Sequence, residues 1–169
     1  GGMAAVYKAR QRSLDRMTAL KLFPRRAGGD PAFSERFRNE ARILARLNHP
    51  HIVGAYEFGQ SERYCYLVME FVEGSTLRKT LNSKSLSSEE ALGIAYQICA
   101  ALAFAHSRGV VHRDIKPENI LFEGGQGMSV TSGGRIRVAD FGLAKLLAGN
   151  ELDFTLTAPA HMLGTVHYM

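Results

Sequence analysis

Two clusters of polar residues constrain the fold of this chain more strongly than any other feature. The first is His112-Arg113-Asp114-Ile115-Lys116-Pro117-Glu118-Asn119, in which an acid, a base and an amide fall within a short stretch. The second, Asp140-Phe141-Gly142, directly follows the short β-prone run 135–139. Any one of these residues alone is typical of a turn or a solvated surface. The two clusters together predict a fold that brings two loops to one site.

The side chains of these clusters suit the chemistry of phosphate groups. Two carboxylates and an amide in loops after strands, those of Asp114, Asp140 and Asn119, can hold Mg²⁺, which prefers oxygen ligands. A lysine between them, Lys116, can neutralise a phosphate. Phosphoryl transfer needs this kind of positioning and charge stabilisation, with little covalent chemistry from the protein.

The bulk composition narrows the class of protein. A chain of 169 residues suffices for one domain with a core, and 46% hydrophobic with 22% charged residues is typical of a soluble globular protein. The net charge of +5 favours anionic ligands such as nucleotide phosphates, although such a surplus is more often a solvated surface. Because the basic residues form no long run, nucleic-acid binding is not expected. No apolar run approaches the roughly 18 residues of a membrane span, so no membrane segment is expected within the chain.

The two cysteines, Cys65 and Cys99, lack the spacing of metal ligands and lie in apolar runs. We therefore predict that both are reduced and buried, which fits a cytoplasmic location.

The spacing of apolar residues predicts an α+β fold, in the order strands, helix, strands, helix and short hairpins. Asp30-Pro31 is typical of a helix start, and Pro50 should end this helix near Asn48. A seam between two parts is expected at Val72-Glu73-Gly74. The predicted strands are residues 4–9, 18–23, 52–58, 64–71, 110–111, 120–122 and 135–139.

A second long helix is predicted to begin at Ser87 or Ser88. Ser87 and Glu90 have the spacing of a capping box, and Gly109 is placed to end the helix in a left-handed turn. The glycine-rich stretch 124–134 should be a surface insertion, to which the sequence assigns no function.

The order of the motifs along nearly the whole chain resembles the protein kinase superfamily. The phrasing of the 112–119 cluster is most similar to bacterial Ser/Thr kinases of the eukaryotic-like group. The matching motifs are Ala19-Leu20-Lys21, Glu40 in the first helix, residues 112–119, Asp140-Phe141-Gly142, and Gly164-Thr165 with Tyr168-Met169.

The resemblance implies an ATP- and Mg²⁺-dependent Ser/Thr protein kinase and assigns roles by position. Lys21 would contact the α- and β-phosphates and pair with Glu40. Asp114 would take or orient the proton of the attacking hydroxyl, and Lys116 would neutralise the γ-phosphate. The remaining implied positions are Asn119 and Asp140 for Mg²⁺, and Gly1, Gly2, Val6, Ala19, Met69, Glu70, Val72 and Leu121 for the nucleotide.

Substrate class and regulation are implied by other positions of the same motifs. Lys116 stands where Ser/Thr kinases carry lysine, and Thr165 resembles the threonine that seats the acceptor hydroxyl. Arg113 would meet a phosphate on the activation loop, for which Thr155 and Thr157 are autophosphorylation candidates or, equally, ordinary loop threonines. The implied partners are protein substrates with Ser/Thr acceptors and a kinase dimer for autophosphorylation.

The resemblance also implies a two-lobe fold. Residues 1–72 would form the N-lobe, an antiparallel sheet plus one helix that lacks its first strand and first loop glycine. Residues 73–169 would form an incomplete, mainly helical C-lobe, and we expect such a fragment alone to be inactive. Two alternatives are a pseudokinase or regulatory nucleotide-binding module, and a small-molecule phosphotransferase. The intact set of charged motif residues argues against the first, and Lys116 with Gly164-Thr165 against the second.

Overall fold

A computed structural model of the protein describes residues 4–24, 31–83, 85–124 and 134–141. Within the helix 31–44, the side chains of residues 31–34, 36 and 40 lie outside this description. Among the described residues, no helix is both long enough and apolar enough to cross a membrane.

The first half of the chain forms a four-stranded antiparallel sheet. Its strands are β1 (Ala5–Gln11), β2 (Arg16–Pro24), β3 (Ala55–Gln60) and β4 (Tyr64–Glu70), in the spatial order β1-β2-β4-β3. The predicted hairpin between the first two strands is confirmed, and Asp15 in its turn has a φ of 46°. This sheet carries the strand lysine, Lys21, directly opposite Val6 of β1 and Leu67 of β4.

Helix α1 (Pro31–Leu44) packs its apolar stripe against one face of this sheet. Phe37, Ala41 and Leu44 are buried, and the Phe37 ring meets Phe23 of β2 edge-on at 5.3 Å. The helix ends four residues before the predicted Asn48, because the backbone tightens after Leu44 into shorter hydrogen-bonded turns such as Leu47 N–H to Leu44 C=O at 3.0 Å.

A smaller, three-stranded antiparallel sheet follows. It consists of β5 (Gly74–Thr76), β6 (Ile120–Glu123) and β7 (Arg135–Val138) in that spatial order. Along the chain, helices α2 (Leu77–Ser83) and α3 (Ser88–His106) lie between β5 and β6. The strands at 120 and 135 were predicted, whereas β5 and α2 were not. The predicted strand at 110–111 is wrong, because neither residue belongs to a sheet.

Helix α3 begins and ends as its sequence predicts. The Ser87 hydroxyl accepts from Glu90 N–H, and the Glu90 carboxylate accepts from Ser87 N–H, which completes the capping box. Gly109, with a φ of 72°, follows its last turn.

Ile94, Ala101 and Ala105 of α3 are buried, but Cys99 is exposed, so the prediction that both cysteines are buried is wrong for Cys99. Leu92 and Tyr96 are exposed as well.

The two sheets are joined by a short parallel pairing. Ile52 pairs with Val138 of β7, since Val138 N–H donates to His51 C=O at 2.9 Å and Val53 N–H donates to Val138 C=O at 2.9 Å. The segment that leads into β3 therefore runs along the edge of the smaller sheet. The division of the chain at residues 72 and 73 stays a prediction.

Candidate active site

The hairpin of β6 and β7 brings the predicted metal ligands to one end of the smaller sheet. Ile120 lies opposite Val138 in the hairpin, so Asn119 and Asp140 both lie just beyond that pair. A hydrogen bond of 2.8 Å from Ala139 N–H to Asn119 C=O extends the pairing to the residue before Asp140. The topology therefore places the two residues next to each other, as the sequence prediction requires.

The loop 112–119 folds back on the carboxylate of Asp114. Lys116 Nζ donates to Asp114 Oδ2 at 2.6 Å, and the Asn119 side-chain amide donates to the same oxygen at 3.2 Å. Asn119 Nδ2 also donates to the Asp114 backbone carbonyl at 2.8 Å. Asp114 and Lys116 are each about a quarter exposed, so the acid and the base lie together at an accessible surface.

His112 holds the two predicted loops together. Its Nδ1 accepts from Asp114 N–H at 3.2 Å, so the proton lies on Nε2, which donates to Ala139 C=O at 2.8 Å. Burial lowers the pKa of His112, against the opposing effects of the Ala139 hydrogen bond and the nearby carboxylates. The neutral ring packs edge-on against Phe141 at 4.5 Å. This packing indicates a structural role for both residues in holding the two loops together.

Lys21 reaches this cluster from the other sheet. Its Nζ donates to Asp140 Oδ1 at 2.8 Å, across 119 positions of sequence. Only 8% of Lys21 is exposed, and a buried ammonium requires such a partner. Glu40 lies on helix α1 as predicted, but its side chain is outside the described residues, so its pairing with Lys21 stays a prediction.

Two residues of the site adopt the left-handed backbone conformation. Arg113 has a φ of 69° and Asp140 a φ of 65°. For residues other than glycine this conformation costs about 1–2 kcal/mol, and it persists only where the surroundings enforce it. The strain coincides with the two predicted loops, and strained backbone of this kind concentrates at functional sites.

The predicted nucleotide-contacting residues flank this cluster on both sheets. Val6 and Ala19 lie on the same face of the first sheet as Lys21, because Val6 pairs directly with Lys21 and Ala19 lies two residues before Lys21 on β2. Val6 is 57% exposed, as a residue above an open cleft would be. Leu121 lies on β6, partly buried. Glu70 and Val72, at the end of β4 and just after it, are also partly buried.

A small cavity of about 20 Å³, room for roughly one water molecule, lies behind Met69. It is bounded by Leu67 of β4, by Leu44 of α1, and by Asp140 and Phe141. Met69, which is 8% exposed, also lines this cavity.

The donor set fits a hard divalent cation. Asp140 offers a carboxylate, and the hydrogen bonds described for Asn119 use its Nδ2 and backbone, which leaves the side-chain carbonyl as an oxygen ligand. Oxygen atoms of these kinds are the ligands that Mg²⁺ takes in proteins. Within the described ranges, no group of three or more His, Cys, Asp or Glu side chains forms a further metal cluster.

Several predicted site residues lie outside the described residues and stay predictions. They are Gly1, Gly2, Thr155, Thr157 and Thr165, together with the side chain of Glu40. Arg113 lies within the described residues and is exposed on the loop, directly before Asp114.

One charged residue of the site region was not predicted. Arg137 of β7 contacts Glu70 at 3.1 Å and Glu123 at 3.3 Å, and it is largely buried. Its sequence signal is weak, since it stands in an alternating strand beside another arginine, Arg135. The alternation alone does not predict which of the two arginines is exposed to solvent.

A lysine and a carboxylate meeting between two sheets, beside an Asp–Lys–Asn loop, are typical of enzymes that transfer phosphoryl groups. Comparison with known protein families identifies which class of phosphoryl-transfer enzyme the chain belongs to. The family model described as protein kinase domain matches residues 1–169, and the chain therefore belongs to this family.

Curated relatives from bacteria match the whole chain. It is 41% identical over 171 residues to the probable serine/threonine-protein kinase PknB of Lactococcus lactis. It is 42% identical over 170 residues to the serine/threonine-protein kinase PrkC of Bacillus subtilis. The chain spans about a quarter of the length of these relatives, 25% and 24% respectively.

The fold is also shared with a solved structure. The crystal structure of Rad53 1-466 in complex with AMP-PNP matches with a TM-score of 0.70 and 31% sequence identity. The match covers 85% of this chain and 36% of that one. The predicted α+β, kinase-like fold is thereby confirmed.

Proposed function

We propose that this chain is part of the catalytic domain of a Ser/Thr protein kinase, which transfers the γ-phosphoryl group of ATP to protein hydroxyls. The observation that carries the proposal is the 2.8 Å contact between Lys21 and Asp140. It joins the face of the first sheet that carries Lys21 to the end of the smaller sheet, where Asp140 lies next to Asn119. The names of the relatives and the AMP-PNP in the Rad53 structure support it.

The reaction assigns one role to each side chain. Lys21 binds the α- and β-phosphates, and Asp114 receives the proton of the acceptor hydroxyl. The acceptor oxygen forms a bond to the γ-phosphorus as the bond to the bridging oxygen breaks, and ADP leaves. Lys116, 2.6 Å from Asp114, neutralises charge on the transferred group. Asn119 and Asp140 would hold Mg²⁺, which supplies further charge neutralisation on the phosphates when bound.

The adenine ring would occupy the face formed by Val6, Ala19 and Leu121. The backbone of Glu70 and Val72 would read its edge, with Met69 behind it. Gly1 and Gly2 would cover the phosphates, and Glu40 would pair with Lys21 once nucleotide is bound. These are roles that the family implies, and they extend the proposal to residues of both sheets.

Regulation by phosphorylation is a further part of the proposal. Arg113 is exposed beside the catalytic carboxylate, where it can meet a phosphate on Thr155 or Thr157. Thr165 would seat the acceptor hydroxyl. A second copy of the kinase would carry out the autophosphorylation. The proposed site of action is the cytoplasm, where ATP and protein substrates are both present. Mass spectrometry of active intact protein with and without ATP tests this, and phosphate-free Thr155 and Thr157 would exclude it.

The acceptor class is tested by analysing the phosphorylated product. The intact protein, given radiolabelled ATP, Mg²⁺ and a generic basic protein, should produce phosphoserine and phosphothreonine after acid hydrolysis. Phosphotyrosine alone would contradict the acceptor class. If nucleotide binds but no label is transferred, the chain is a regulatory nucleotide-binding module instead.

A further inference from the structure

Arg137 links the two sheets at a point away from the reacting groups. Its guanidinium contacts Glu70 Oε1 at 3.1 Å, at the end of β4. The same group donates to Glu123 of β6, from Nε at 3.3 Å and from Nη2 at 3.4 Å. Nη1 donates to the carbonyl of Ile52 at 3.4 Å. We call this set of contacts the Arg137 bridge.

The bridge is sheltered from solvent, unlike an ordinary surface ion pair. The side chain of Arg137 is 13% exposed and that of Glu70 is 24% exposed. Glu70 is further fixed because its Oε2 accepts from Gly54 N–H at 3.2 Å, and its own N–H donates to Gly54 C=O at 2.8 Å. A planar guanidinium presents its donors in a rigid fork and so holds two carboxylates and a carbonyl in fixed directions, whereas the three donors of a lysine ammonium rotate on a flexible stem.

The bridge joins the two halves of the proposed nucleotide site. Glu70 lies two residues before Val72, whose backbone would read the adenine edge. Arg137 lies three residues before Asp140 on β7 and directly opposite Leu121, which would lie beneath the adenine. We propose that Arg137 is a positioning residue, which sets the distance between the strand end at Glu70–Val72 and the β6–β7 hairpin and so determines nucleotide affinity. This inference rests on the proposed function.

The chain offers a matched control on the same strand. Arg135 also lies near Glu123, at 3.7 Å, but it is 52% exposed and has no described contact with Glu70. Replacing either arginine by glutamine removes the same charge from the same face of β7. Only the change at Arg137 breaks the link between the sheets.

The test measures ATP affinity and turnover in the intact protein. Arg137→Gln should raise both the KM for ATP and the directly measured dissociation constant of Mg-ATP on the order of tenfold, the low end of the loss that follows removal of a residue that orients metal ligands. The effect on kcat should be smaller, because the reacting groups are untouched. Arg135→Gln should leave all three constants as in the wild type, and Arg137→Lys should give an intermediate affinity.

A second variant keeps the test decisive if Arg137→Gln does not fold. Glu70→Gln combined with Arg137→Gln removes both buried charges, which costs less stability than leaving one unpaired. The double variant should bind ATP no more weakly than Arg137→Gln or Glu70→Gln alone, because all three variants remove the same Arg137 bridge.

Unchanged ATP affinity in folded Arg137→Gln or in the double variant, whatever its kcat, would overturn the inference. So would an equal loss of affinity in Arg135→Gln. Wild-type protein that binds no nucleotide would instead overturn the proposed function, so the two failures are distinguishable.

Discussion

Lys21 shows how a single residue depends on the whole chain for its role. A lysine in a β-strand is usually at the surface, yet this one is 8% exposed and contacts Asp140, a residue from the opposite end of the described chain. The sequence predicted the residue through its motif and its proposed partner Glu40. The contact with Asp140 could not be predicted, since it depends on how two sheets approach each other.

The role of Lys21 can be tested by removing its charge. Lys21→Met should weaken Mg-ATP binding by about tenfold or more, because a charge-assisted hydrogen bond to phosphate is lost, worth roughly 1.5–3 kcal/mol. Isothermal titration of the intact protein checks this. Lys79→Met, an exposed residue of α2, should bind as the wild type. Equal affinity of Lys21→Met and wild type would exclude Lys21 from the nucleotide site.

His112 predicts a dependence of stability on pH. Burial lowers its pKa in the folded protein, so the unfolded chain binds a proton first as the pH falls through the ordinary value of about 6.5. The stability is therefore fully present above that pH and is lost below it, by at most about 1.4 kcal/mol per pH unit for one proton. Urea unfolding between pH 7.5 and 5.5 should show this loss.

The contribution of His112 is separable from that of other histidines. The pKa of His49 is also lowered, by burial and then by His51 and Arg108, so part of the slope should survive in His112→Asn. This variant should be less stable at pH 7.5 and should show a shallower slope. His106→Asn, at an exposed position, should keep the wild-type slope. A slope unaltered by His112→Asn would contradict the neutral, buried imidazole.

At the scale of elements, long periodic segments were predictable and short ones were not. Helix α3 carries its own start and stop signals, and both were confirmed. Strand β5 has three residues and helix α2 seven, too few to show a period. Val110 was predicted as strand because valine is β-prone, but its N–H donates to Ala105 C=O at 3.0 Å and closes the end of α3 in a Schellman-type turn.

The capping box of α3 is worth testing because this helix leads into the catalytic loop. Ser87→Ala should lower the free energy of unfolding by about 1 kcal/mol, since Glu90 N–H loses its acceptor. Denaturant titration measures the change. Ser85→Ala, an exposed position before the helix, should have little effect. If the two variants were equally stable, the cap would contribute nothing.

At the scale of the molecule, the site exists only where the two sheets meet. The sequence motifs identified Asp114, Asn119 and Asp140, because each stands at a matching motif position and carries a side-chain oxygen. The motifs could not reveal the Arg137 bridge, since the alternation of β7 treats Arg135 and Arg137 alike. Burial of Arg137 follows from the pairing of Ile52 with Val138, a contact between distant segments. Motifs thus predict the reacting groups, and the packing decides what positions them.

The central claim is that Asp114 serves phosphoryl transfer, and the rate of γ-phosphoryl transfer from radiolabelled ATP tests it most directly. Asp114→Asn in the intact protein should reduce this rate by at least about 100-fold, the contribution typical of general acid–base groups, while Mg-ATP binding stays near the wild-type value. Asp15→Asn makes the same chemical change in the exposed β1–β2 turn and should transfer at the wild-type rate. Equal transfer by Asp114→Asn and wild type would contradict the account.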